Sequence, residues 1–447
     1  MTLYAIVGYL NIRATEKIDW IKKLKSDPKT SEVFQNVYHA IVICNYKESF
    51  SVIERNLQAL LEQDFPHKNM IVVIAMEKRE GETAVVRAKQ IKEKYQDSFG
   101  QLYISFHPLV PGETAGKHSN ESYAVREVKR LFIDPKNIPL DKVLVTVSDA
   151  DHVLPNQYCS LLTYKALTTN NGLDNFYQAP QFAYNNLHKV PLLVRLPSII
   201  GGIYMLSMLQ KPSRRFMLSA VYSMSLGLLD KIDYWDLDYI PEDWHLFFKA
   251  YFSLTGKVNI IPLYLPIMID AAESATKWGT YNNFYQQLKR WAWGSVDIPY
   301  VTKQFFLHPE ISFWDKLIRL SLALEWHFVW SSSWFLITLG ATIPTIINPV
   351  FARTALGLNL SRVSSSILTI CLVGLITIII IDNLLNPQKK NKLLTFLHPL
   401  TYFQWILLPI FGFVFGALPG LESQTRLMLG KYIEYRVTEK ISDKPSK

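Results

Sequence analysis

Three long stretches in the last third of the chain carry no Asp, Glu, Lys or Arg: residues 328–347, 363–381 and 393–421. Each approaches or exceeds the roughly 20 residues that a helix needs to cross a bilayer's hydrocarbon core. Runs this long are rare in soluble cores, so they predict transmembrane insertion. The third exceeds the need of one span and is broken by Pro399, Pro409 and Pro419. Trp330, Trp334, Tyr402 and Trp405 suit interfacial aromatic belts. Residues 1–10 are apolar but short and have no positive n-region, so they do not read as a cleavable signal peptide. In residues 11–25, Ile18, Trp20, Ile21 and Leu24 alternate with Lys17, Lys22, Lys23 and Lys25. That segment reads either as a membrane-surface helix or as an ordinary solvated one.

Basic residues set the expected orientation. Lys389, Lys390 and Lys392 lie between the second and third runs, and Arg426, Lys431, Arg436, Lys440, Lys444 and Lys447 follow the third. The positive-inside rule puts both segments in the cytosol, which three spans cannot satisfy. Either residues 393–421 turn back as a Pro-bent re-entrant pair, or one basic segment lies on the other side.

Before about Trp314 the character changes to alternating charged and apolar segments. The runs 40–44, 70–75, 102–106 and 143–147 are continuous and apolar, as in strands buried on both faces. Between them, residues 51–63, 83–95 and 119–131 carry apolar side chains at helical spacing. This βαβα alternation predicts a mostly parallel sheet with helices on both faces. Ligands of such sheets sit beyond the carboxyl ends of the strands. No strand is followed by a Gly-x-Gly-x-x-Gly or a Walker loop, so dinucleotide and P-loop sites are not expected. With 49% hydrophobic and 19% charged residues over 447 positions, a disordered chain, a collagen-like repeat and a disulfide-stapled module are excluded. Cys44, Cys159 and Cys371 are scattered, which points to a reducing compartment without structural zinc. The net charge of +9 sits mostly in N-terminal, juxtamembrane and tail segments, which argues against nucleic acid as the partner.

Chemistry-bearing residues follow the last of these strands in the segment Ser148-Asp149-Ala150-Asp151-His152. Residues i and i+2 of an extended backbone face the same way. Two such carboxylates repel unless a hard divalent cation bridges them to phosphate oxygens. The plainer alternative is a turn pair. Further on, Pro241 opens an apolar helical stretch and sets Glu242 and Asp243 at its positive end, as catalytic groups or as a cap. Gln287, Arg290 and Trp291 fall on one side of a helix. There a guanidinium can pair with a diphosphate while the indole packs on a sugar; alone, an Arg–Trp pair is more often a surface stack. Residues 191–209 are apolar around Arg195 and read as a core helix or an interfacial segment.

The order of these motifs resembles the membrane-bound members of glycosyltransferase family two, with the GT-A fold. Tyr46 and Glu48 follow the first strand; Gly116, Lys117 and Asn120 precede a helix; then come Asp149-x-Asp151, Glu242-Asp243 and Gln287-x-x-Arg290-Trp291 ahead of membrane spans. The resemblance implies a GT-A nucleotide-sugar-binding domain followed by a transmembrane helical region, and an inverting transfer from a UDP- or GDP-sugar to a glycan or lipid. It implies that Asp151, with Asp149, holds Mg²⁺ or Mn²⁺, and that Asp243, beside Glu242, is the general base. Gln287, Arg290 and Trp291 would hold the diphosphate and the acceptor end, while Tyr46, Glu48, Lys117, Asn120 and Asp149 would line the donor pocket. The family's nucleobase-binding Asp after the second strand is missing, and Glu77 is the nearest substitute. The expected organisation is a membrane-proximal segment at 1–37, the catalytic domain at 38–255, acceptor-side helices at 256–315, the membrane region at 316–421 and a basic cytosolic tail at 422–447. The expected setting is the plasma membrane with the catalytic domain in the cytosol. The alternative is a non-catalytic membrane scaffold that kept the fold.

Overall fold

The computed structural model describes residues 1–211, 218–387 and 404–433. All the expected strand runs are strands: β1 (Tyr38–Asn45), β2 (Met70–Glu77), β3 (Gln101–His107) and β4 (Val143–Asp149). Shorter strands follow: β5 (Phe176–Gln178), β6 (Gln181–Phe182), β7 (Tyr222–Ser225), β8 (Ile260–Pro262) and β9 (Ile267–Met268). They form a seven-stranded sheet in the order β3-β2-β1-β4-β7-β5-β8, with β6 and β9 paired separately. The first four strands are parallel, and β7 runs antiparallel between β4 and β5.

Continuous apolar runs make sense here because every residue of β2 is buried. Alternate side chains feed two cores. Ile41, Ile43, Val72 and Ile74 meet Val52, Ile53 and Leu57 of the helix Phe50–Leu61 and Ile91 of the helix Glu82–Tyr95. Ala40, Val42, Val73 and Ala75 meet Ala124 and Val125 of the helix Lys117–Val128 and Phe247 of the helix Glu242–Ser253. A third core joins β6 to the N-terminal and later apolar helices: Phe182 and Tyr184 cluster with Ala5 and Ile12, with Val194 and Ile203, and with Ile378 and Ile381.

Several expectations need correction. Residues 11–25 are not one helix: the chain forms Thr2–Thr15 and Trp20–Ser26, and the second helix buries Trp20 and Leu24. The Trp20 backbone N–H donates to Gln157 Oε1 at 2.8 Å, so this segment is docked on the α/β domain. Residues 328–347 do not form one span either. The helix Phe313–Leu339 is capped by Gly340, and Pro344 starts the short helix Ile343–Ile347. A glycine and a proline within five positions interrupt the ladder that a single span would need. Among the described residues, two helical segments are long and apolar enough to cross a membrane: Ala355–Leu385 and Gln404–Met428. The basic residues that set the orientation, Lys389, Lys390, Lys392 and Arg436 onward, lie outside the described residues.

Residues 191–209 form the helix Leu192–Met208, which buries Val194, Leu196, Ile199, Ile203 and Leu206. Arg195 folds back onto the carbonyls of Leu187, His188 and Val190. This helix lies tight against β6. A Cβ at Gly202 would stand 2.7 Å from the Phe182 ring and 2.9 Å from the Gln181 carbonyl oxygen, whereas nothing lies within 4 Å of one at Gly201. Gly202→Val therefore should lower the melting temperature well below that of Gly201→Val, although the change in intrinsic helix propensity is the same at both positions. Equal melting temperatures would contradict this packing.

Candidate active site

The strand register brings the loops together. Cys44 of β1 pairs with Ala75 of β2 and with Asp149 of β4, so three strands end at one level. Their carboxyl ends are where an open parallel sheet binds ligands. Asp149 closes β4, and one ligand atom each of Asp149, Asp151 and His152 lies within 4.8 Å of the others. The two carboxylates do share a side, but unequally: the Asp151 side chain is 1% exposed and that of Asp149 is 34% exposed. Asp151 Oδ2 accepts the Asp270 backbone N–H at 3.0 Å. Arg55 forks the Asp270 carboxylate at 2.8 Å and donates to the Asp151 carbonyl at 3.3 Å. His152 is buried, and neither ring nitrogen has a hydrogen-bond partner among the described residues. Its Nδ1 lies 3.4 Å from Asp151 Oδ1, and a buried imidazole without a hydrogen bond beside two carboxylates is a donor set that fits a divalent cation.

Lys117 stands at the centre of the site, in the first turn of the helix Lys117–Val128. Its Nζ lies 3.1 Å from Asp149, 3.2 Å from Glu121 and 3.8 Å from Glu242, and donates to the Ala220 carbonyl at 2.6 Å. Burial works against the ammonium, yet the three carboxylates together hold its pKa well above the usual lysine range. Glu121 is fully buried; burial pushes its carboxyl up to about 8, with Lys117 opposing and Glu242 and Asp149 adding to the rise. Asp243 is also pushed up to about 8, first by its recessed position and then by Glu242, against the pull of Lys117. Glu242 and Asp243 form the first turn after Pro241. Neither caps the helix as a side-chain N-cap would: Glu242 turns to Lys117, and Asp243 Oδ1 accepts the adjacent Trp244 N–H at 2.9 Å.

The same helix is tied to the end of the helix Lys277–Ala292, which carries Gln287, Arg290 and Trp291. His245 Nδ1 faces Asp297 Oδ1 and His245 Nε2 faces Asp236 Oδ2, each at 2.8 Å. A carboxylate facing each nitrogen favours the doubly protonated ring, while burial raises the Asp297 carboxyl against the pull of His245. Burial alone would lower its pKa; the two carboxylates outweigh burial and raise it. Gly294, between Trp291 and Asp297, packs beside Pro241 and His327. Gln287 and Arg290 are half-buried and Trp291 is exposed.

On the β1–β2 side, Glu48 Oε2 accepts the Tyr46 N–H at 2.7 Å and Asn45 Nδ2 at 2.8 Å. The Arg79 guanidinium lies over the Tyr46 ring at 4.3 Å and pairs with buried Glu77. Asn120 Nδ2 donates to the Ala75 carbonyl at 2.7 Å, joining its helix to the end of β2. Thus Tyr46, Glu48 and Glu77 gather at one end of the sheet edge, and Lys117, Asp149, Glu242 and Asp243 at the other. Sequence reasoning passed over Glu121, Arg55, Asp236, His245, Asp270 and Asp297. Glu121 had a signal, its i,i+4 spacing from Lys117 on one helix. The others are joined by contacts between distant segments and have no local signature.

No protein-family model matches the sequence, and no curated protein matches it. Among solved structures, S. aureus TarS residues 1–349 in complex with UDP-GlcNAc is 16% identical, covering 68% of this chain and 76% of that one, with a TM-score of 0.42. The mannosyltransferase PcManGT from Pyrobaculum calidifontis, in complex with GDP-Man and Mn²⁺, is 13% identical over 86% of this chain and 99% of that one, with a TM-score of 0.46. GalNAc-T7 with UDP, GalNAc and Mn²⁺ is 10% identical over 65% of this chain and 58% of that one, with a TM-score of 0.39. These likenesses are remote, and the functional reading rests on the residues of the site.

The doubly bonded His245 has a pH signature. Its folded-state pKa is raised above the ordinary 6.5, so the stability it contributes is complete below that pH and is lost as pH rises through the folded-state pKa. Above about pH 6.5 the melting temperature should fall more steeply for the wild type than for His245→Asn. Parallel pH profiles would contradict the imidazolium bridge.

Proposed function

We propose that the chain is a membrane-bound, inverting glycosyltransferase that moves a sugar from a nucleoside-diphosphate donor to a glycan or lipid acceptor. The observation that carries this reading is the Lys117 bridge. One buried ammonium contacts Asp149 of the cation cluster and Glu242, the neighbour of Asp243. Groups suited to the diphosphate and a group suited to an attacking hydroxyl are thereby held in one site.

The chemistry follows from the groups. The acceptor O–H gives its proton to Asp243, whose carboxyl, held near 8, is a stronger base than an ordinary aspartate. The oxygen forms a bond to the anomeric carbon as the bond from that carbon to the phosphate oxygen breaks. The electron pair leaves with the nucleoside diphosphate, and a single displacement inverts configuration. A divalent cation bound by Asp149, Asp151 and His152 would neutralise charge on that leaving group. Arg290 adds a second positive charge there, while Gln287 and Trp291 position the acceptor sugar. Tyr46, with Arg79 over its ring, and Glu77 form the nucleoside end, and Glu48 and Asn120 fix that end to β1 and β2. Lys117 orients Asp149 and Glu242 rather than reacting. The helices Ala355–Leu385 and Gln404–Met428 anchor the chain in the plasma membrane with the catalytic domain in the cytosol, where nucleotide sugars are made. A scaffold that had shed catalysis would have no use for a buried imidazole grouped with two carboxylates at the end of β4.

Asp243→Asn should leave nucleoside-diphosphate binding nearly unchanged and lower turnover by roughly the 10²–10⁴ of a lost acid–base group. Arg290→Ala should weaken binding of the nucleoside diphosphate as well. An Asp243→Asn protein with wild-type turnover at saturating donor and acceptor would remove the base from this mechanism.

A further inference from the structure

The helix Thr2–Thr15 has two unlike faces. Ala5, Gly8 and Ile12 are buried. A Cβ at Gly8 would stand 2.6 Å from Leu206 Cγ, and Asn11 Nδ2 donates to Gln210 Oε1 at 2.9 Å, so the helix is firmly docked on Leu192–Met208. The outer face carries Leu3, Ile6, Val7 and Leu10, all exposed, with Leu3 at 77%. Their i, i+3, i+4, i+7 spacing makes one continuous apolar stripe. No charged side chain occurs among residues 1–12; the first is Arg13, which pairs with Glu16 at 2.8 Å.

We infer that this stripe lies against the acyl chains of the leaflet on the Asp382 side of the bilayer. A Cβ at Gly374 would meet Thr2 Oγ1 at 2.8 Å, so the start of the helix touches the interior of Ala355–Leu385. Gly374 is eight residues from Asp382, the first charge after the apolar run. At 1.5 Å per residue that places Thr2 about 12 Å from the polar end, within the half-thickness of a hydrocarbon core about 30 Å deep. Val373, next to Gly374, and Ile370, one turn before it, are likewise exposed, so apolar surface also lies beside this contact on Ala355–Leu385. Arg13 and Glu16 then lie toward the headgroups. The contact is with hydrocarbon and asks for no particular headgroup. It rests on the membrane reading of Ala355–Leu385 given above.

The wild-type chain in phosphatidylcholine–phosphatidylglycerol vesicles tests this with a lipid bearing a diazirine on its acyl chain. After irradiation, adducts are mapped by peptide mass spectrometry. The helix Glu82–Tyr95 is the control, because its Val85 and Val86 are each 59% exposed but belong to the sheet's far layer. The expected result is adducts on residues 1–13 and 363–381 and none on 82–95. Adducts on 363–381 without any on 1–13 would overturn the inference while leaving the membrane reading intact. Equal labelling of 1–13 and 82–95 would also overturn it. No adducts on 363–381 would remove the membrane reading, and this inference with it.

Discussion

A single buried ammonium dictates how the site is assembled. Removing Lys117 from water is tolerable only if charged partners reach it, since an unpaired buried charge is strongly destabilising. Its partners at 3.1, 3.2 and 3.8 Å come from the end of β4, from its own helix and from the first turn of Glu242–Ser253. These elements must therefore meet at the carboxyl edge of the sheet. Counted fully ionised, Lys117 with Asp149, Glu121, Glu242 and Asp243 would carry a formal charge of −3, one positive against four negative. Burial first, and then that excess of negative charge, pushes Glu121 and Asp243 up to about 8. It also makes the edge receptive to a cation, and the His152 imidazole points to the same need.

A second constraint couples the site to the core around the apolar helix Ala355–Leu385. Asn185 Nδ2 donates to the Asp151 carbonyl at 3.4 Å, and the neighbouring Phe182 and Tyr184 belong to the core shared with Ala5, Ile203, Ile378 and Ile381. The loop that touches Asp151 is thus packed in the core shared by the helices Thr2–Thr15, Leu192–Met208 and Ala355–Leu385. On the opposite flank, Asp297 reaches His245 directly after the helix bearing Arg290. That bond ties the helix Glu242–Ser253 to the segment that follows the helix Lys277–Ala292.

The sheet was legible because buried parallel strands write themselves as continuous apolar runs, and 40–44, 70–75, 102–106 and 143–147 all fall inside strands. The carboxylates of Asp149-x-Asp151 and Glu242-Asp243 were legible as pairs at element ends. What they touch was not. Arg55 and Asp270 are 215 positions apart, and no periodicity reports such a contact. His245 looked like one more residue of an apolar helix until Asp236 and Asp297 closed on it. The run 328–347 misled because apolarity alone does not register the Gly340 and Pro344 that divide it. Residues 11–25 misled because a lysine-rich amphipathic pattern looks the same whether its apolar face meets lipid, water or, as with Trp20 and Leu24, another helix.

The most direct measurement is release of free UDP or GDP by the detergent-purified chain from a panel of UDP- and GDP-sugars, with and without Mn²⁺ or Mg²⁺. The account predicts slow hydrolysis of at least one donor that stops in EDTA, returns with the cation and is abolished in Asp151→Asn at an unchanged melting temperature. Release of no nucleotide from any donor, or release that is equal in EDTA and in the Asp151→Asn protein, would contradict it.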